Sequence, residues 1–77
     1  MDSHGGREVL LEYVEINGSV RASAIDVATG TEVSIVGPAS AGEPELRRNA
    51  LARLDYVLRQ RQAETERRRD NRPGLLV

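Results

Sequence analysis

The side chains that could do chemistry are few and scattered. His4 is the single histidine. It sits beside Gly5-Gly6 with no second ligand at a metal-binding spacing, so it reads as an inert, exposed residue. Glu12, Glu15, Asp26 and Glu32 could in principle supply a general acid–base pair. A strand backbone, however, sends Glu12 and Glu15 to opposite faces, and Asp26 precedes a turn whose amides it can accept. Ser23 and Ser34 lack a histidine to take a proton. No cysteine is present, which removes thiolate nucleophiles, disulfides and cysteine-held zinc together. All eleven positive side chains are arginine. Without lysine, no Schiff base can form with a carbonyl substrate or pyridoxal phosphate. The expectation is a protein that is not an enzyme, with no catalytic, cofactor-binding or metal-ligating residue and no cofactor.

Two arginine groups could instead contact phosphates: Arg47 and Arg48, and the run Arg67, Arg68, Arg69. Acids accompany both, with Glu43, Glu45 and Asp55 near the first and Glu64, Glu66 and Asp70 around the second. The bland reading is therefore solvated charge. The net charge of -1 supplies no overall field toward nucleic acid or an anionic membrane. The only aromatic residues are Tyr13 and Tyr56, so no stacking platform for single-stranded nucleic acid exists. The apolar runs are too short to span a bilayer, and the first residues lack the pattern of a signal peptide. With no disulfide staples, a cytoplasmic location is expected.

The elements that must position these residues follow from turn chemistry. Residues 1–6 are polar and Gly-rich and are expected to form a disordered leader. Arg7–Ile16 reads as a strand, rich in β-branched residues in its later part. Asn17-Gly18 then marks a two-residue hairpin turn, in which both positions need positive φ. That turn sets Ile16 opposite Ser19, Tyr13 opposite Ala22, Leu11 opposite Ala24 and Val9 opposite Asp26. The stretch Val27-Ala28-Thr29-Gly30 reads as a four-residue loop, capped by Asp26 and leading into a third strand over 31–36. Asp26 then faces Thr31, Ala24 faces Val33 and Ala22 faces Ile35. The two independently derived registers gather Val9, Leu11, Tyr13, Val20, Ala22, Ala24, Val33 and Ile35 on one face.

After Gly37-Pro38 the apolar period changes to 3.6. Ser40 to Glu43 has the spacing of a capping box. Leu46, Ala50, Leu54, Val57 and Leu58 form one helical stripe, with Leu51 at its margin. The helix is expected to run to Glu64, followed by a flexible Arg-rich tail over 65–77. The predicted fold is α+β, a three-stranded antiparallel β-meander followed by one C-terminal α-helix packed on one face (βββα), as a single domain over 7–64. Ala22 and Ala24 would let the helix axis approach closely.

The second face of the sheet decides what the chain can do. Leu10, Val14, Ile16, Ile25 and Val36 interrupt Glu12, Arg21, Ser23, Glu32 and Ser34. That face is too apolar for open water and too polar for a core. A 77-residue chain also buries little on its own. The expectation is a small self-associating interaction module, a homodimer or a partner of another protein, using Leu10, Val14, Ile16, Arg21, Ile25 and Val36.

Several stretches carry a resemblance. They are Glu8-Val9-Leu10-Leu11-Glu12-Tyr13-Val14, Ser23-Ala24-Ile25-Asp26, Thr29 to Ile35, Gly37 to Ser40 and Leu54 to Leu58. Over residues 7–61 these resemble a small uncharacterised family of alphaproteobacterial proteins, a domain of unknown function. The resemblance implies a bacterial cytoplasmic protein and supplies no site residues. A second, weaker likeness is to the later part of a double-stranded RNA-binding domain, where three strands precede a helix. Here the helix opens on Glu43-Pro44-Glu45 rather than on basic residues, and the chain before the sheet is too short for that domain's first helix. The alternative function is accordingly a nucleic-acid-binding accessory, with phosphate contacts from Arg47, Arg48, Arg67, Arg68 and Arg69.

Overall fold

The computed structural model describes residues 2–70, with the backbone alone at 69 and 70. One antiparallel sheet in the order β1-β2-β3-β4 carries a single helix on one face. The strands are β1 (Asp2–His4), β2 (Arg7–Ile16), β3 (Ser19–Asp26) and β4 (Glu32–Pro38). A 3-10 turn (Ala39–Ala41) leads into α1 (Glu43–Asp70).

The fold class is the expected α+β, but the sheet has four strands rather than three. Of the six residues expected to be a disordered leader, residues 2–6 instead make a hairpin onto β2 with Asp2 opposite Val9 and His4 opposite Arg7. The reason lies in Gly5 and Gly6, both at positive φ (58° and 82°). Asn17 and Gly18 close the next hairpin at φ 52° and 82°. Two successive residues in this region twist the chain in the sense that matches paired strands. The Gly5-Gly6 pair carries the same information as Asn17-Gly18.

The two registers derived from the turns are those observed. Val9 pairs with Asp26, Leu11 with Ala24, Tyr13 with Ala22 and Ile16 with Ser19. Ala24 pairs with Val33 and Ala22 with Ile35. The loop after β3 closes through the Asp26 amide on the Thr31 carbonyl at 2.8 Å, and the Gly30 amide on the Asp26 carbonyl at 2.8 Å. The Ala39 amide donates to the Gly18 carbonyl at 2.8 Å and so ties the turn before the helix to the β2–β3 hairpin.

The core lies between the sheet and α1. Val9, Val20, Ala22, Ala24 and Val33 meet Leu46, Ala50, Leu51 and Leu54, with Tyr13, Ile35, Val57 and Leu58 at the margins. Ala22 and Ala24 are fully buried, as a floor under a closely approaching helix requires. Gly37 serves the same purpose at the other end. A Cβ there would lie 2.7 Å from the Leu46 Cδ2 atom.

The helix starts without the capping box. Ser40 belongs to the 3-10 turn, and the Gly42 carbonyl accepts the Leu46 amide at 3.2 Å. It also runs past the expected end at Glu64 to Asp70. Residues 59–68 are exposed throughout, so packing does not hold them. Good helix formers do so, with an Arg68-to-Glu64 bond at 2.9 Å one turn apart. The first part of the expected flexible tail, 65–70, is thus helical, while 71–77 lie outside the described residues. Among the described residues, no helix is long and apolar enough to cross a membrane.

Candidate functional site

The face of the sheet turned away from α1 is ordered in rows. Leu10, Ile25 and Glu32 lie side by side across β2, β3 and β4. Next come Glu12, Ser23 and Ser34, then Val14, Arg21 and Val36, and last Ile16, Ser19 and Pro38. The six residues singled out for an interface therefore share one surface. It holds an apolar group of Val14, Ile16 and Val36 around Arg21, and a second of Leu10 and Ile25. Val36 is 71% exposed, Ile16 65%, Val14 41% and Leu10 39%. Ser23, at the centre, is buried under its larger neighbours and hydrogen-bonds Ser34 through their hydroxyls at 2.8 Å. Arg21 takes part in none of the ion pairs among the described residues.

The arginines of the alternative reading are not brought together. Arg47 is in the first turns of α1, with its Nε donating to Asp2 Oδ2 at 3.2 Å. Arg48 beside it is exposed. Arg67 and Arg68 lie exposed on the last turns, about 30 Å farther along the axis by helical rise. Arg69 continues the helix, and its side chain lies outside the described residues. Arg53 stacks over the Tyr56 ring, 5.6 Å from its centroid.

The acid–base candidates are likewise dispersed. Glu12 and Glu32 are on the outer face, Glu15 opposes Val20 on the helix face, and Asp26 lies beneath the β3–β4 loop. No group of three or more metal-ligating side chains occurs among the described residues. His4 departs from its reading as an inert, exposed residue. It lies half-buried on β1, with Nε2 2.9 Å from Asp55 Oδ2 on α1. Together with Asp2 and Arg47 it pins the short edge strand to the helix.

Two further features had escaped the sequence. The first is a cleft of about 310 Å³ where Tyr13, Val20 and Leu46 meet Glu15 and Glu43. The Tyr13 hydroxyl is buried there without a partner among the described residues. Burial pushes its pKa up; the charges of Glu43 and Asp2 push the same way, and Arg47 opposes them.

The second centres on Asp26, which is fully buried. Its Oδ2 accepts the Thr29 hydroxyl at 2.7 Å, the Thr29 amide at 3.2 Å and Arg7 Nη1 at 3.2 Å. These bonds hold its carboxyl below the usual carboxylate range, the Thr29 hydroxyl first, against the opposing effect of burial. The Thr29 and Thr31 hydroxyls stand 2.8 Å apart, and Arg61 Nη1 donates to Thr31 Oγ1 at 3.0 Å. The Asp-x-x-Thr-x-Thr spacing signals the turn part of this network. Nothing local signals Arg61, which arrives from thirty residues away on α1.

A family model described as Domain of unknown function (DUF6898) matches residues 6–62. No curated protein and no solved structure matches the chain.

Proposed function

We propose that this chain, which belongs to the family described as a domain of unknown function, is a non-catalytic module that associates with a second copy of itself through the outer face of its sheet. The observation that carries the reading is the exposure of Ile16, Val36, Val14 and Leu10 on the sheet face turned away from α1. Two exposed apolar groups on one face, set among charged side chains, mark a contact site.

Charge complementarity selects the occupant and its orientation. The outer face carries Glu12 and Glu32 toward one end and Arg21 toward the other. A two-fold axis across the strands at the Ser23 row would lay the Leu10–Ile25–Glu32 row of one copy over the Val14–Arg21–Val36 row of the other. Each Arg21 would then rest its stem on Ile25 and reach Glu32 or Glu12 of the opposite copy. An axis along the strands would stack Arg21 on Arg21, which is unfavourable. Stacked sheets lie about 10 Å apart, a distance these side chains span.

The reading places the homodimer in the bacterial cytoplasm, supported by the absence of cysteine and by the sequence resemblance. Nucleic-acid contact has less support, because Arg47 and Arg68 already engage Asp2 and Glu64.

Sedimentation velocity at micromolar concentration tests the proposal. The parent is expected to sediment as a dimer, and Val14→Asp/Val36→Asp as a folded monomer. Arg21→Glu and Glu32→Arg each weaken association, and together they restore it. A monomeric parent would overturn self-association. A dimer unaffected by the Val14/Val36 pair would move the contact to a sheet edge.

A further inference from the structure

A cleft of about 290 Å³ opens where the start of β2 and the β3–β4 loop meet the later turns of α1. Its charged lining is Arg7 and Arg61, and its neutral lining includes Thr29, Thr31, Gln62 and Leu58. We propose that this cleft binds a phosphate group, free or as the monoester of a small molecule, between the Arg7 and Arg61 guanidinium groups.

Each guanidinium group is anchored on one buried acceptor. Arg7 Nη1 donates to Asp26, which is 0% exposed, and Arg61 Nη1 donates to Thr31, which is 2% exposed. Through Asp26, Thr29 and Thr31, four hydrogen bonds link one guanidinium to the other. An arginine head anchored by one N–H keeps the rest of its planar fork of donors for a ligand. Such a fork matches the oxygens of a phosphate, and two of them can share one tetrahedral anion.

The charge balance points the same way. Asp26 is the partner of Arg7, while Arg61 enters no ion pair among the described residues. Among the described residues, no carboxylate lines the cleft. Of the remaining polar lining, the Gln62 amide can donate to an anion, and a cation would meet two arginines. Leu58 gives the cleft an apolar wall on which the carbon part of an ester can rest. The cleft lies on the helix side of the sheet, so this inference stands apart from self-association across the outer face.

The test is titration of the full chain, followed by amide NMR shifts at constant ionic strength set with sodium chloride. Inorganic phosphate and glycerol phosphate are the two probes. Saturable shifts at Thr29, Thr31 and Arg61 are expected. Arg61→Gln, an exposed position that should leave the fold intact, weakens binding about tenfold, the scale of losing a charge-assisted hydrogen bond. Arg61→Lys falls between, because it keeps the charge and loses the fork. Arg53→Gln, on another surface, binds as the parent does. Saturation by inorganic phosphate alone assigns the free ion; equal or tighter binding of the ester assigns a phosphate monoester. The proposal is overturned if neither probe saturates, or if Arg53→Gln weakens binding as much as Arg61→Gln.

Discussion

Asp26 is the residue on which most local order converges. It pairs with Val9 at one end of β3, receives the Thr29 amide and hydroxyl beneath the loop, and anchors Arg7. One oxygen, Oδ1, is buried with no partner among the described residues. A carboxylate in this position must remain ionised to keep its three donors. Its folded-state pKa lies below its unfolded value of about 3.9, so the stabilisation is complete above that value. It disappears as the pH falls through the lower, folded-state pKa. Asp26→Asn is therefore expected to lower the urea midpoint at neutral pH. The gap between parent and variant should shrink as the pH drops below about 4. A gap that stays constant down to the acid transition would show that shape and not charge matters at this site. The turn role of Asp26 was legible in the sequence, since an aspartate before Val-Ala-Thr-Gly accepts local amides. Its ties to Arg7 and, through two threonines, to Arg61 were not, because no local pattern encodes a contact made across the sheet and helix.

At the scale of elements, small residues set how closely α1 can approach. Ala22, Ala24 and Gly37 offer little or no side chain toward the helix, and Leu46, Ala50 and Leu54 descend into the space. Leu46 is only 3% exposed, so it cannot swing into solvent to make room. Gly37→Ala should thus strain the β4–α1 contact by roughly 1–3 kcal/mol, the usual cost of overpacking. Urea unfolding checks this in two backgrounds: the loss should be present with Leu46 and largely absent with Leu46→Ala. An equal loss in both would place the cost in the backbone of β4. The two alanines were readable as a floor from the register alone. The close fit at Gly37 needed the helix axis, which the sequence does not supply. The edge strand β1 shows a related limit. Three residues have no periodicity to read, and the strand becomes visible only through Gly5-Gly6 and the side chains that fasten it, Asp2 to Arg47 and His4 to Asp55.

For the molecule as a whole, the helix outgrows the sheet. Its 28 residues span about 42 Å by helical rise, whereas the eight residues of β3 span about 26 Å. The core ends near Leu58, and residues 59–68 stand exposed beyond it. A chain ending at Thr65 should accordingly unfold within about 0.5 kcal/mol of the parent, as surface changes do. A larger loss in a urea titration would mean that the later residues pack against the domain. The shorter chain also retains Arg7, Thr29, Thr31 and Arg61, so it should keep any anion affinity that the cleft confers.

The sequence by itself determined the order of the three long strands and the helix, their register, and the face each apolar residue takes. These follow from local rules: positive φ at Asn17-Gly18, the capping habit of Asp26, and periods of two and 3.6. It also placed Leu10, Val14, Ile16, Arg21, Ile25 and Val36 on a common face, because a fixed register leaves alternate side chains no other choice. Only the tertiary structure decided that His4 meets Asp55, that Asp2 meets Arg47, and that Arg7 and Arg61 flank one cleft. Each of those depends on where α1 lies over the sheet. That placement is set by the volumes of Ala22, Ala24, Gly37 and Leu46 acting together, a property of packing in three dimensions that has no spacing along the chain.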